Sequence, residues 1–333
     1  MAADAFTRID DRWSLGDLPV VVLENRHLRV VICPALGARI LHFEDRATGT
    51  DMLWHNPDVA HRPVSVGASY DDNFAGGWDE LFPNDLEDAV GDVTYPDHGE
   101  LWSQPWTAST MAAVEGEVTL HLSLAGTATT ATVEKWLTLR AGESQLRMRH
   151  RITNTGARPL DFLWKLHPAL AIDEGDTVDV PGQTCELVDP SFGRTAAPAR
   201  FAWPHASQVD GSSIDLRVVP ALDGTREFVY VRDLTDGWCA LHRRKLGMGF
   251  GLVFPVEVFS SVWLFMTFGG WRGHSTVVLE PCTTVPKDLN EAIRAGSARR
   301  LAPGESLECT VRAILFVDQG PLTGFTEGGL PLQ

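Results

Sequence analysis

Residues 117–125 read EVTLHLSLA, and every second side chain from Val118 to Leu124 in this stretch is apolar. A period of two is typical of a β-strand that turns one face to a hydrophobic core and the other to water. Residues 146–152, LRMRHRI, repeat the pattern with one mostly apolar face and one strongly basic face. Both segments therefore predict half-buried strands.

Further short apolar runs extend in both directions from these two segments. They span residues 20–23, 28–32, 39–43, 133–139, 227–232, 239–242, 249–254, 262–267, 276–280 and 307–316. Turn residues such as Asp223-Gly224 and Pro303-Gly304 separate many of them. Many strands at short spacing indicate an antiparallel all-β fold. One segment predicts a helix, with Pro286 in its first turn and Gly296 at its end.

The composition narrows the class of protein. The 333 residues include 28 basic and 44 acidic ones, a formal net charge of −16. Such an excess of acids predicts no binding to nucleic acid or to an anionic membrane surface. The five scattered cysteines and the lack of a signal peptide predict a cytoplasmic protein. No repeat or linker divides the chain, so we expect one domain over residues 1–333, with the oligomeric state left open.

Motifs of several common enzyme classes are absent from the sequence. It contains no Gly-x-x-x-x-Gly-Lys loop, no Gly-x-Gly-x-x-Gly, no Gly-x-Ser-x-Gly and no His-Glu-x-x-His. Phosphoryl transfer, hydride transfer, serine hydrolysis and zinc proteolysis therefore lose support. We expect neither a cofactor nor a metal site.

Three side chains are candidates for acid–base chemistry. His98 lies between turn residues and acids in YPDHGELW, and His167 lies in LWKLHPAL, where alternation places it on the same strand face as Lys165. Glu280 ends an apolar run and is a candidate general base. Each has an alternative interpretation: an exposed loop histidine, a histidine at a solvent-facing strand end, and an edge acid facing water.

Residues 71–100 contain ten acidic residues and neither Lys nor Arg. The segment predicts either a solvated acidic loop or a loop that overhangs a site. Within it, the indole of Trp78 precedes the carboxylates of Asp79 and Glu80. An aromatic face beside acceptor groups suits a polyhydroxylated ring, and packing in the core is the alternative for Trp78.

Taken in order, several segments resemble the aldose 1-epimerase (galactose mutarotase-like) family. They are Gly37-Ala38-Arg39-Ile40, Gly76-Gly77-Trp78, Leu81-Phe82-Pro83-Asn84, Asp97-His98-Gly99, Leu166-His167-Pro168, Leu279-Glu280-Pro281-Cys282-Thr283 and the turn at residues 301–306. The resemblance runs from about residue 20 to 317. It implies a β-supersandwich of large twisted antiparallel sheets with few short helices and an open cleft. It also implies a small-molecule sugar as ligand and no dissociable cofactor.

The same resemblance implies a role for each candidate residue in exchanging the α and β anomers of an aldose. Glu280 would be the base at the C1 hydroxyl, His167 the acid at the ring oxygen, and His98 a donor that polarises that oxygen. Contacts to sugar hydroxyls, or to an anionic group, are expected from a second set of residues: Arg39, Trp78, Asp79, Glu80 and Lys165.

The sugar itself is left open by the sequence. Pro168-Ala169-Leu170 stand where galactose mutarotases carry aromatic residues and an Asn, and Asp233 and Asp236 are only candidates for the sugar-binding aspartate. Two other functions remain: a carbohydrate-binding or sensing protein without turnover, and another sugar epimerase or a lyase that uses the same cleft.

Overall fold

The computed structural model describes residues 6–111, 114–188, 193–196, 199–208 and 210–333. Over these residues the regular structure is almost entirely β, in 27 strands. In chain order they are β1 (Thr7–Leu15), β2 (Leu18–Asn25), β3 (Leu28–Cys33), β4 (Arg39–Asp45), β5 (Trp78–Leu81), β6 (Asp88–Val90), β7 (Val93–Tyr95), β8 (Thr107–Thr110), β9 (Glu117–Ala125), β10 (Ala131–Arg140), β11 (Gln145–Asn154), β12 (Leu160–Phe162), β13 (Lys165–Leu170), β14 (Thr177–Asp179), β15 (Thr184–Leu187), β16 (Arg200–Ala202), β17 (His205–Ser207), β18 (Ser213–Asp215), β19 (Thr225–Arg232), β20 (Trp238–Arg243), β21 (Met248–Val253), β22 (Ser261–Phe268), β23 (Ser275–Cys282), β24 (Arg299–Leu301), β25 (Ser306–Val317), β26 (Gly324–Phe325) and β27 (Pro331–Leu332).

Two large sheets contain most of these strands. The first has eleven, in the order β1-β2-β3-β4-β5-β13-β23-β22-β19-β15-β16, and the second has eight, in the order β14-β20-β21-β25-β11-β10-β9-β8. Strands β5, β13 and β23 are neighbours in the first sheet and pair antiparallel. These three strands come from the first quarter, the middle and the final third of the chain, and their pairing brings those parts together.

The two sheets pack face to face through one hydrophobic cluster with members from both. The ring of Phe250 on β21 meets Phe43 on β4 at 5.2 Å and Trp78 on β5 at 5.9 Å between centroids. The all-β prediction is confirmed, as is the expectation of large antiparallel sheets. Because a single cluster joins the sheets, we propose that they form one domain, in line with the expectation for residues 1–333.

The predicted strands coincide with observed ones, except that Phe254 follows the end of β21. The predicted helix is shorter than expected. It is α1 (Leu289–Ala295), and the side chain of Asp288 caps its start by accepting from the backbone N–H of Glu291 at 2.7 Å. Pro286 therefore lies before the helix rather than in its first turn, while Gly296 ends it as predicted.

Two short 3₁₀ turns, Asp71–Asn73 and Arg244–Leu246, are the other helical elements of the described residues. Among those residues, no helix has the length and apolar character needed to cross a membrane.

Candidate active site

A cavity of about 230 Å³ lies on the face of the first sheet that is turned away from the second sheet. Strands β13 and β23 provide its floor through alternate side chains, and strands β19 and β22, together with connecting segments, provide its walls. On β13, Lys165 and His167 point into the cavity, whereas Leu166 belongs to the core between the sheets. On β23, Glu280 points into the cavity and Leu279 into the core. Both strands show the period of two that the sequence predicts.

His167 and Glu280 meet at the centre of this floor. Atom Nε2 of His167 lies 3.8 Å from Oε1 of Glu280. Both side chains are buried, and Glu280 is 1% exposed. An imidazole that can donate a proton and a carboxylate that can accept one therefore face the same small volume.

Lys165 fixes the orientation of Glu280. Its ammonium donates to Oε2 of Glu280 at 2.7 Å and to Oδ1 of Asp85 at 2.5 Å, and it lies 4.5 Å from the ring centre of Trp263. Burial opposes its charge, but the two carboxylates outweigh this and raise the pKa of Lys165 above its ordinary value. The charged lysine therefore holds Oε2 of Glu280, and the other oxygen, Oε1, faces His167.

A chain of polar contacts fixes His167 from behind. Its Nδ1 lies 3.0 Å from the Tyr70 hydroxyl and 3.3 Å from Oδ1 of Asp79. The Tyr70 hydroxyl donates to Asp79 at 3.1 Å, and Arg39 donates to the other Asp79 oxygen at 2.8 Å. Because Nδ1 faces these partners, Nε2 is turned toward the cavity. Arg39 thus acts on the cavity through Asp79.

His98 reaches the cavity from a strained turn. Its backbone has φ +58°, a left-handed conformation that is uncommon for a residue with a side chain. The imidazole stacks on Tyr70, with ring centres 4.0 Å apart and planes 5° from parallel, and its Nδ1 lies 2.8 Å from Asp97 Oδ1. The next residue must be Gly99, since a Cβ there would lie 2.0 Å from the carbonyl oxygen of Phe82.

Two predicted contact residues face away from the cavity. On the four-residue strand β5, Asp79 lies behind the cavity, while Trp78 packs on Phe250 between the sheets. The carboxylate of Glu80 also lies between the sheets, where it accepts from Lys135 on β10 at 3.2 Å. Trp78 and Glu80 are not among the described residues that line the cavity, and neither are Asp233 and Asp236.

Several lining residues were not anticipated by the sequence analysis. Tyr70 and Asp85 are polar members of this set, and Lys287 lies at the cavity after β23. The aromatic side chains of the cavity walls are those of Phe74, Phe228, Phe265 and Trp271. The sequence gives only weak indications that Tyr70 and Asp85 belong to the site. Asp85 follows the Phe-Pro-Asn segment directly, and Tyr70 is one of three tyrosines in the chain.

The ionised state of Asp79 and Glu80 predicts a loss of stability in acid. Burial opposes ionisation of both, but Arg39 beside Asp79, and Lys135 with His150 beside Glu80, outweigh it and lower each pKa to about 2. The ordinary values are 3.8 and 4.5. The stabilisation is complete above those values and is lost as the pH falls toward 2.

We therefore expect the thermal unfolding midpoint, followed by circular dichroism, to fall steeply over that acidic range. In a Glu80→Gln variant the fall should be shallower, because one of the carboxylates that titrate in this range is gone. A midpoint that stays constant down to pH 2 would contradict this assignment of charges.

Comparison with solved structures places the chain in a known fold. A galactose mutarotase-like protein from Clostridium acetobutylicum superposes with a TM-score of 0.65 at 11% identity, covering 94% of this chain and 98% of that one. A galactose mutarotase related enzyme from Lactobacillus acidophilus gives 0.61 at 14% identity, covering 90% and 98%. A galactose mutarotase-like protein from Lactobacillus casei gives 0.60 at 14%, covering 89% and 99%. No family model matches the sequence. The chain therefore has the galactose mutarotase-like fold. Sequence identities this low support a shared fold and nothing more.

Proposed function

We propose that this protein interconverts the α and β anomers of an aldose by general acid–base catalysis. The observation that carries the proposal is the pairing of His167 Nε2 with Glu280 Oε1, 3.8 Å apart in one cavity. The two oxygens that exchange protons in mutarotation, O1 and the ring oxygen, are bonded to the same carbon. An acid and a base that serve both must therefore lie close together.

The proton movements balance without a co-reactant. Glu280 removes the proton of the C1 hydroxyl, a C1=O double bond forms, and the bond from C1 to the ring oxygen breaks. His167 gives its Nε2 proton to the ring oxygen as that bond breaks. Rotation about the C1–C2 bond and the reverse transfers close the ring with the other configuration at C1, which returns both residues to their starting states.

Three neighbours support these two roles by position. Asp79 lies 3.3 Å from Nδ1 on the far side of the His167 ring, and Arg39 lowers the pKa of that carboxylate against the opposing effect of burial. Lys165 holds Glu280 through Oε2, so that Oε1 is directed at the sugar. His98 lines the same cavity and is placed to donate to a sugar oxygen. Lys165 and Arg39 are therefore positioning residues in this proposal rather than sugar contacts.

The cavity lining offers several kinds of partner for a sugar. It contains the carboxylates of Asp71, Asp85 and Glu280, the ammonium groups of Lys165 and Lys287 and the imidazoles of His98 and His167, and Lys165 already pairs with two of those carboxylates. Carboxylates bind sugar hydroxyls as acceptors, and ammonium and imidazole N–H groups bind them as donors. The aromatic walls supply flat apolar faces for the C–H side of a pyranose ring.

One observation favours the alternative of a sugar-binding protein without turnover. The carboxylate of Glu280 is already in an ion pair with Lys165, which partly satisfies the charge that a base must use. Glycoside hydrolysis is less well supported than either of these functions. The Lys165 ammonium lowers the pKa of Asp85, although burial opposes this effect. Asp85 is thus poorly suited to the protonated acid that such an enzyme requires.

Magnetisation exchange between α and β anomeric protons, measured by NMR with a panel of neutral and acidic aldoses, tests the proposal. We expect the protein to accelerate exchange for at least one aldose of the panel. Line broadening without acceleration would favour the binding protein. The proposal is overturned if no sugar of the panel shows either accelerated exchange or line broadening.

Trp271→Ala is expected to raise KM about tenfold for the accepted sugar with little change in kcat. The indole lines the cavity and packs edge-on against Phe265 at 5.3 Å, so it is a wall rather than a proton donor. Loss of a contact made equally to substrate and transition state raises KM alone. Trp13→Ala, which removes an exposed indole on β1, is the matched control. A large fall in kcat with unchanged KM would contradict this role.

A further inference from the structure

Three side chains that can bind a metal converge on the outer face of the first sheet, outside the cavity. Nδ1 of His42 lies 2.7 Å from Oδ2 of Asp51, and Nε2 of His55 lies 2.9 Å from the same oxygen. The three ligand atoms all lie within 4.8 Å of one another. Among the described residues, this is the one group in which three such atoms approach so closely.

The backbone fixes the Asp51 carboxylate in this orientation. Its Oδ1 accepts from the backbone N–H groups of Phe43 and Leu53, each at 3.0 Å. Oδ2 is thereby directed at the two imidazoles. A hydrogen-bonded carboxylate whose second oxygen faces two histidine nitrogens has the outer support that metal ligands in proteins normally have.

Backbone pairing fixes the positions of the three ligands. His42 is on β4, Asp51 forms a backbone bridge with Glu44 of the same strand, and His55 forms one with Gly76. The side chains are 26%, 20% and 35% exposed for His42, Asp51 and His55. An ion can therefore enter from solvent, and water can complete its coordination.

A third imidazole lies beside the group. The ring of His61 meets that of His55 edge to face, with centres 5.8 Å apart. Both of its ring nitrogens are buried and have no hydrogen-bond partner among the described residues. A buried imidazole with neither nitrogen satisfied is costly unless something binds it, so His61 is a candidate additional ligand after a small movement.

We propose that His42, Asp51 and His55 form a binding site for a divalent transition metal ion of the zinc type. Imidazole nitrogen and carboxylate oxygen are the ligands that Zn²⁺ and Co²⁺ accept, whereas Ca²⁺ and Mg²⁺ take oxygen ligands almost exclusively. Three protein ligands with solvent access give a site with one open position, which His61 or water can occupy. No metal site is expected from the sequence, since residues 42, 51 and 55 do not have the spacing of a His-Glu-x-x-His motif.

Cobalt titration of the untagged, chelator-treated full chain tests the proposal. We expect visible d–d absorption that saturates at one Co²⁺ per chain and disappears when Zn²⁺ is added. Asp51→Asn should weaken Co²⁺ binding by about 100-fold or more, because a direct ligand matters at least as much as the outer-shell groups whose loss costs 10–100-fold. This variant keeps an oxygen for the two backbone donors, so its fold should persist.

His55→Gln should weaken Co²⁺ binding as strongly as Asp51→Asn. The matched control is His121→Gln, which removes a histidine that contacts Glu134 at 3.1 Å on the second sheet, and it should bind Co²⁺ like the wild type. Zn²⁺ should also raise the unfolding midpoint of the wild type and of the control but not of Asp51→Asn. The proposal is overturned if the wild type shows no 1:1 site, or if Asp51→Asn and His55→Gln, folded by circular dichroism, keep its affinity.

Discussion

A Glu280→Gln variant is expected to exchange anomers about 10²–10⁴ times more slowly than the wild type, the range that a general acid or base contributes. The amide retains the shape of the side chain and an oxygen for Lys165, but it cannot take the C1 proton. The ammonium of Lys165 also keeps its ion pair with Asp85, so the change leaves no buried cation without a partner. Sugar affinity should therefore change far less than turnover.

The measurement is NMR magnetisation exchange at saturating sugar, with affinity taken from a separate ligand titration. Glu308→Gln, which alters an acid on β25 whose side chain is 49% exposed, is the control and should match the wild type. Turnover within tenfold of the wild type in folded Glu280→Gln would remove this carboxylate from the mechanism. Equal loss of affinity and turnover would instead assign it to sugar binding.

Glu80→Ala is expected to lower the free energy of unfolding by about 3–5 kcal/mol, the cost of removing one partner of a buried ion pair. Its carboxylate accepts from Lys135 at 3.2 Å, from His150 at 3.0 Å and from the indole of Trp164 at 3.1 Å. Lys135 and His150 belong to the second sheet, so Glu80 joins the two layers through charge and hydrogen bonds. Without it, a buried ammonium would remain without its carboxylate.

Urea unfolding at neutral pH, followed by tryptophan fluorescence, measures this loss. The control is Glu117→Ala, which removes an exposed ion pair with Arg140 and should cost less than about 1 kcal/mol. A loss below about 1 kcal/mol for Glu80→Ala would show that Lys135 finds another partner. Because Glu80 faces away from the cavity, anomer exchange by the folded fraction should be retained.

Long strands of the two sheets with one face buried and the other not, such as β9 and β10, were predictable, whereas the four-residue β15 has the same alternation of burial and was not predicted. Strand β1 was not predicted, since its sequence TRIDDRWSL is polar. It lies at the edge of the first sheet with β2 as its one neighbour there, and charged residues are common on such edges. Burial, rather than backbone pairing, produces the pattern that a sequence reveals.

The same physical reason explains which cavity residues were predictable. His167 lies on a strand whose sequence alternates Lys165, Leu166, His167 and Pro168, which indicates its direction. Glu280 follows an apolar run without such alternation, and the family resemblance supplies the chemistry of both residues. On β5 all four residues are buried, so their burial does not indicate which of Asp79 and Glu80 lies on the cavity side of the sheet. Tyr70 and Asp85 lie on irregular segments, where no period exists to indicate direction.

The order of strands in the second sheet has a consequence for synthesis of the protein. Strand β25 comes late in the chain but lies between β21 and β11 in the interior of that sheet. While a ribosome is still translating residues 306–317, those two strands both present open hydrogen-bonding edges. Nascent chains at this stage are exposed to intermolecular strand pairing, and a chaperone that shields edges should increase the yield of folded protein.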